Sequence, residues 1–391
     1  MGFLNIKLSY TSRKYVPELD GIRGIAVLAV MFYHCFPSSV TRIGWMGVDL
    51  FFVLSGFLIT GILLDTRGDK GYYTNFIGRR FLRIFPLYYL VLCIVFFVLP
   101  HLLKAVYLPH FDYYKQHEGW FWLYMQNWLY SKDGFPPNHL LVHFWTLGVE
   151  EQFYLVWPWL VRFIPHKHLL KTAIFLCIGA ILFRLLPSGS IAMEPTYRYM
   201  STLSRMDGLL IGAIIAILIR DNPNLLTKLA IPVLICSVIG LATGIIISRS
   251  VKFLDLPPYY TFIDLLSGSL VVIGLSTKKW VKAVVKWPVL ISLGKYSYGL
   301  YVYHYVIFIM LRYNLNDWLE ATFASFLARM LVLGSITMLL AVGVSIASFH
   351  LFESRFLKLK RLFAYSRKAS DRADSTPVIG KKAVQLPSSV T

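Results

Sequence analysis

Ten runs of predominantly apolar residues, each about 17 to 30 long, follow one another along the chain, at roughly 18–36, 44–64, 81–103, 143–161, 170–187, 203–219, 229–248, 260–276, 288–311 and 322–351. A helix needs ~20 apolar residues to cross the hydrocarbon core of a bilayer. Inside lipid every backbone N–H and C=O must find its partner within the protein. Only 15% of the 391 residues are charged and 57% are hydrophobic, against about 25% charged and 45–50% apolar in soluble domains. The runs predict an all-α fold, a polytopic transmembrane bundle of about ten spanning helices over residues 16–355. A cytoplasmic segment, 1–15, precedes it and a basic, disordered cytoplasmic tail, 356–391, follows, with no second soluble domain after the last helix. The first run holds Arg23 and His34 and lacks a small-residue cleavage site, so it reads as a span rather than a signal peptide.

The formal net charge of +19 points first to nucleic acid, and its distribution points away from it. With both termini inside, the inner segments carry 25 of the 39 Lys and Arg residues and the outer loops eight. That asymmetry sets membrane orientation and meets anionic lipid. A multi-pass protein of the inner, cytoplasmic membrane with both ends in the cytoplasm is expected, with membrane lipid as its surroundings and no nucleic-acid partner. Cys35, Cys93, Cys177 and Cys236 all fall inside predicted spans without metal-ligand spacing, so neither a disulfide framework nor a metal site is expected. The longest outer loop, about 104–142, contains GWFWLYMQNWLY from Gly119 to Tyr130. It reads as an interfacial aromatic belt or as a re-entrant element roofing a site. No internal repeat is visible, which argues against an inverted-repeat transporter.

Ionisable groups inside spans are costly and mark function. In the first run Arg23 and His34 are eleven residues apart, three helical turns plus about 20°, so they share a face ~16 Å apart, with Asp20 within about 40° of it. In IGRRFLRIFP, Arg80 and Arg83 share a face at i, i+3, near a helix N-terminus. They suit a phosphate or, as plain anchors, lipid headgroups. In FWTLGVEEQFYLVWPWL, Glu150 and Glu151 point ~100° apart, so one faces the interior and the other a neighbour or polar cavity. Glu150 falls at a depth comparable to His34, where a carboxylate fixes an imidazole's tautomer. GVDLFFVLSGF adds Asp49 and Ser55. LSRMDGLLIGA adds Arg205 and Asp207, an ion pair within one turn or part of a cavity. GKYSYGLYVYHY adds Tyr298 and His304, which pack or line the same cavity.

These stretches, with LDGIRGIAVLAVMFYH and RRFLRIFPLYY, resemble in order the membrane acyltransferase 3 family, whose members O-acylate bacterial surface glycans. The resemblance implies an acyl-CoA co-substrate, usually acetyl-CoA, taken from the cytoplasm, and a glycan or glycolipid hydroxyl as acceptor. It makes His34 the essential histidine, Arg80 and Arg83 the paired arginines, Glu150 the fourth-helix glutamate and Arg23 a first-helix arginine; Glu151 falls at a more variable place. Many members carry a fused extracytoplasmic hydrolase-like domain; its absence from this chain implies that the bundle suffices or that a separate protein receives the acyl group.

The mechanism expected on these grounds holds the donor phosphates on Arg80 and Arg83, helped by Arg23. His34 acts as general base, worth roughly 10²–10⁴-fold, with Glu150 orienting the imidazole; an acyl-histidine stays open, and no metal is needed. A flippase or exporter of a lipid-linked sugar is the rival reading, and an envelope scaffold a third.

Overall fold

The computed structural model describes residues 15–36, 38, 40–102, 109–186, 195–247 and 258–365. Each of the ten apolar runs coincides with a long helix: α1 Pro17–Cys35, α2 Gly47–Thr66, α3 Tyr72–Cys93, α4 Trp145–Phe163, α5 His166–Arg184, α6 Thr202–Asp221, α7 Pro223–Ile247, α8 Pro258–Gly274, α9 Pro288–Thr322 and α10 Phe326–Ser348. No strand occurs among the described residues. Among the described residues, six helical stretches are long and apolar enough to cross a membrane by length and composition alone, those built on α2, α3, α5, α6, α7 and α10. Large apolar side chains such as Leu155, Val156, Trp159 and Phe175 coat the exterior, as a lipid-facing surface requires. The molecule is an all-α, multi-pass membrane bundle.

Two seams set the geometry of the interior. Lipid tails are as apolar as the helices, so association relies on close packing, and small residues allow it. Along the α1–α9 seam, a Cβ on Gly24 would strike the carbonyl of Leu290, and one on Gly294 the carbonyl of Asp20. Along the α2–α6 seam, Gly56 and Gly212 meet the carbonyls of Leu209 and Val53 in the same way. Pro86 lies inside α3, and the helix continues beyond Cys93 as a π-helical turn, Ile94–Val98. Pro158 lies inside α4; a proline removes one ladder bond and kinks a helix.

The outer loop decides between its two expected forms, and the segment after α10 differs from expectation. The outer loop is not a belt spread on the surface: Tyr114, Phe121 and Tyr130 are fully buried, although Leu123 is exposed. Tyr88 and Tyr89 of α3 donate to the carbonyls of Phe121 and Trp122, at 2.7 and 3.0 Å. Gln152 of α4 donates to the carbonyl of Tyr124 at 2.9 Å. These bonds draw the loop down as a roof over α3 and α4. At the other end, residues within the stretch expected as a tail are helical: Ser354–Lys358 and a 3₁₀ turn, Leu359–Phe363, strap across the start of α3. Arg79 donates to the carbonyls of Lys360 and Phe363, at 3.1 and 3.3 Å, and Asn75 to that of Ala364, at 3.0 Å. The rest of that stretch, 366–391, and residues 1–14 lie outside the described residues.

Candidate functional site

A cavity of about 110 Å³ lies between α1, α2, α3, α4 and α9, lined among others by Arg23, Ser55, Arg80, Arg83, Glu150 and Tyr298. That is room for several water molecules or for the reacting end of a longer ligand. Six residues singled out in the sequence, on five separate helices, thus converge on one space. Glu150 accepts a hydrogen bond from Ser55 at 2.8 Å. Tyr298 donates to the carbonyl of Ile84 at 2.6 Å, tying α9 to the arginine turn of α3. Arg23 is held by Asp20 at 3.1 Å, and Asp20 also accepts from Tyr15 at 2.8 Å, so Asp20 sits at the foot of α1, away from His34. Arg80 lies over the ring of Tyr154, 5.5 Å from its centroid. Neither Arg80 nor Arg83 has a hydrogen-bonding or ion-pairing partner among the described residues. Glu150 lines the same cavity but is not ion-paired to either arginine, so both guanidiniums keep fork-shaped donors for a planar or tetrahedral anion.

His34 does not line that cavity. Its Nδ1 lies 2.9 Å from Nε2 of His304, and its ring packs on Tyr305 with centroids 4.3 Å apart. His143 completes a group of three imidazoles, its ring 5.5 Å from that of His304 and its Nε2 donating to the carbonyl of Val302 at 3.1 Å. The group borders the cavity through Tyr301, a cavity-lining residue whose ring lies 5.9 Å from that of His304. Its hydroxyl is 2.6 Å from that of Thr146 and donates to the carbonyl of His143 at 2.8 Å. The expected pairing of His34 with Glu150 is therefore replaced: the carboxylate pairs with Ser55, and the partner of His34 is another imidazole. Equal depth along two helices leaves their relative rotation open, and here it turns the two groups to different neighbours.

A second polar group lies between α2, α5, α6 and α8. Arg205 pairs with Asp49, and its guanidinium stacks on Tyr260 at 4.5 Å. Asp207 pairs with Arg184, Nη1 to Oδ1 at 3.0 Å, and accepts from Thr261 at 2.9 Å. All four charged side chains, with Asp264 beside them, are fully buried. The pair expected between Arg205 and Asp207 is thus split, each taking a partner from another helix. Asp49, Arg205 and Asp207 do not line the cavity. Glu151 faces away from it too, toward the aromatic roof; its Oε1 is buried without a hydrogen-bond partner among the described residues.

Reading the sequence missed Arg184, Asp264, Tyr154, Tyr301 and the role of His143. Arg184 closes an apolar run, and nothing short of its contact with α6 marks it as a buried partner. Lys360, in the strap, feels the charges of Arg83, Arg80, Arg79 and Arg23 and falls in the stretch expected as tail.

Residues 16–348 match the family described as Acyltransferase domain. The chain is 31% identical over 317 residues to the peptidoglycan O-acetyltransferase OatA of Listeria monocytogenes, covering 76% of this chain and 50% of that protein. It is 28% identical over 325 residues to the O-acetyltransferase OatA of Staphylococcus aureus, covering 78% and 53%. The chain spans about half the length of the curated relatives it matches. No solved structure matches.

Proposed function

The chain belongs to the acyltransferase family whose domain covers its residues 16–348, and on that premise we propose that it is an integral-membrane O-acetyltransferase acting on a hydroxyl of a cell-surface or exported glycan. The observation that carries this reading is the convergence of Arg23, Arg80, Arg83, Ser55 and Glu150 on one cavity that borders the imidazole group through Tyr301. The donor is an acyl-CoA, acetyl-CoA for preference. Its phosphates rest on Arg80 and Arg83, with Arg23 at their side, at the end of the bundle that faces the cytoplasm. The thioester arm runs outward along α1, a rise of ~16 Å from Arg23 to His34.

His34 takes the proton of the acceptor hydroxyl. The oxygen attacks the thioester carbonyl, the C–S bond breaks, and the thiolate leaves with the proton His34 carries, giving an ester and a free thiol. Glu150 and Ser55 line the passage and position the donor. The relatives act on peptidoglycan by name in one case, which supports an envelope glycan as the acceptor class. Protein, inner membrane and both termini in the cytoplasm fit the positive-inside pattern of the sequence.

The test is transfer of radiolabel from acetyl-CoA to a glycan by the reconstituted protein, read as alkali-labile label on the sugar. His34→Ala and Glu150→Ala, folded and inserted, are expected to lose that transfer. Movement of sugar across the membrane without CoA release, in place of ester formation, would identify an exporter and overturn the reading.

A further inference from the structure

His304 is in contact with two backbone carbonyls through one ring nitrogen and with His34 through the other. Its Nδ1 lies 2.9 Å from the carbonyl of Leu300 and 2.8 Å from that of Tyr301. A carbonyl oxygen only accepts, so this nitrogen carries the proton. In a neutral ring the other nitrogen, Nε2, then holds a lone pair and accepts. The atom 2.9 Å away is Nδ1 of His34, which must therefore be the donor. That leaves the proton of His34 on Nδ1 and the lone pair on Nε2. His34 is half-buried, and its Nε2 meets no partner among the described residues.

No carboxylate lies within hydrogen-bonding or ion-pairing reach of the His34, His304 or His143 rings among the described residues. An acid would ordinarily fix the tautomer of a catalytic imidazole. Here the orienting group is a neutral ring whose own tautomer is dictated by the carbonyls of the helix it stands on.

We propose that His304 is the positioning residue of the reaction, fixing His34 as its Nδ1–H tautomer so that Nε2 is the atom that receives the acceptor's proton. When Nε2 takes that proton, His34 becomes an imidazolium, and its Nδ1–H bond to the lone pair of His304 strengthens as the charge develops. Loss of the thiolate returns the proton from Nε2 to sulfur, and both rings end as they began. This inference rests on the reading of His34 as base, and the experiment separates the two.

The protein is labelled with ¹⁵N-histidine in nanodiscs, and the His34 resonances are assigned by their loss in His34→Ala. The wild-type protein should show His34 protonated at Nδ1. His304→Lys offers only donors to His34, so the tautomer should move to Nε2–H. Its kcat should fall by about 10²–10⁴-fold, the contribution of a well-placed base, with KM for acetyl-CoA within about threefold for the folded protein, while the buried ammonium lowers the thermal unfolding midpoint. His304→Gln places an amide oxygen near the old Nε2 and should keep the Nδ1–H tautomer, with kcat restored to within about tenfold of wild type.

An Nε2–H tautomer in the wild type, or one unchanged by His304→Lys, overturns the proposal, as does undiminished kcat in His304→Lys. Turnover by His34→Ala would overturn the base assignment itself. The spectrum reports the tautomer whichever way turnover falls.

Discussion

Both polar regions of the bundle contain arginines and acids, and they treat them in opposite ways. Between α2, α5, α6 and α8, Arg205 and Arg184 each hold a carboxylate, and aromatic rings close over Arg205. Between α1, α3, α4 and α9, Arg80 and Arg83 face a cavity with no acid partner among the described residues. A buried charge paired by its neighbour is held in place even where, as at Nε and Nη1 of Arg205, some donors stay unbonded among the described residues, and removing either member leaves the other stranded at a cost of about 3–5 kcal/mol. A charge beside open space and without an ion-pair partner keeps its donors free for a ligand, which is the role proposed for Arg80 and Arg83. The intramembrane ionisable group therefore has two meanings, and the partner list tells them apart.

The sharpest way to break this contrast is Arg205→Ala. It should destabilise the protein by about 3–5 kcal/mol, read as a lower unfolding midpoint in detergent. The double replacement Asp49→Leu with Arg205→Met should recover most of that loss, because a well-packed apolar pair replaces a buried ion pair at little or no cost. Recovery of stability with full acetyl transfer would establish the region as framework; a folded but inactive double variant would move it into the site.

Arg83→Ala should do the reverse. The unfolding midpoint should hold, while KM for acetyl-CoA rises roughly 10–100-fold, the worth of one or two charge-assisted hydrogen bonds at about 1.5–3 kcal/mol. S-acetylpantetheine lacks the nucleotide phosphates, so its KM should be indifferent to the change. A matching rise for both donors would return Arg83 to anchoring lipid headgroups. The smallest effect is expected from Ser55→Ala. Removing the bond to Glu150 costs about 0.5–1.5 kcal/mol, so kcat should drop two- to tenfold without loss of fold, measured in the same transfer assay.

All ten helices were legible as apolar runs, including those on α1, α4, α8 and α9, which fall short of a simple span by length or composition. Three of these four carry the polar residues of the site: Arg23 and His34 on α1, Glu150 on α4, Tyr298 and His304 on α9. The polarity that weakens them as spans is what makes their residues stand out as candidates for a site. Facing could be read within one helix, since angle follows from residue number. That placed Arg80 beside Arg83. Facing between helices could not, since rotation and register depend on packing. His34 was therefore matched to Glu150, when the α1–α9 seam gives it His304, and Arg205 was matched to Asp207 within its own turn, when each reaches across to another helix. The strap at 354–363 was illegible for a different reason: its basic residues look like a cytoplasmic tail, whereas the carbonyls that it and Ala364 give to Arg79 and Asn75, and the packing of Phe363 on Gly78, fix it in place.

The glycine contact on the α1–α9 seam and the imidazole contact further along it share one spacing: Gly24 precedes His34 by ten residues, and Gly294 precedes His304 by ten. The two helices are clamped at one end by backbone and joined at the other by chemistry, like parallel rails with matched gauge marks. Adding a single residue between the clamp and the ring on either rail would swing that ring by about 100° and separate the pair without touching either histidine. Surface loops in general tolerate changes in length; these two ten-residue intervals leave no such freedom to the ring pair, and their length belongs to the site as much as the side chains they carry.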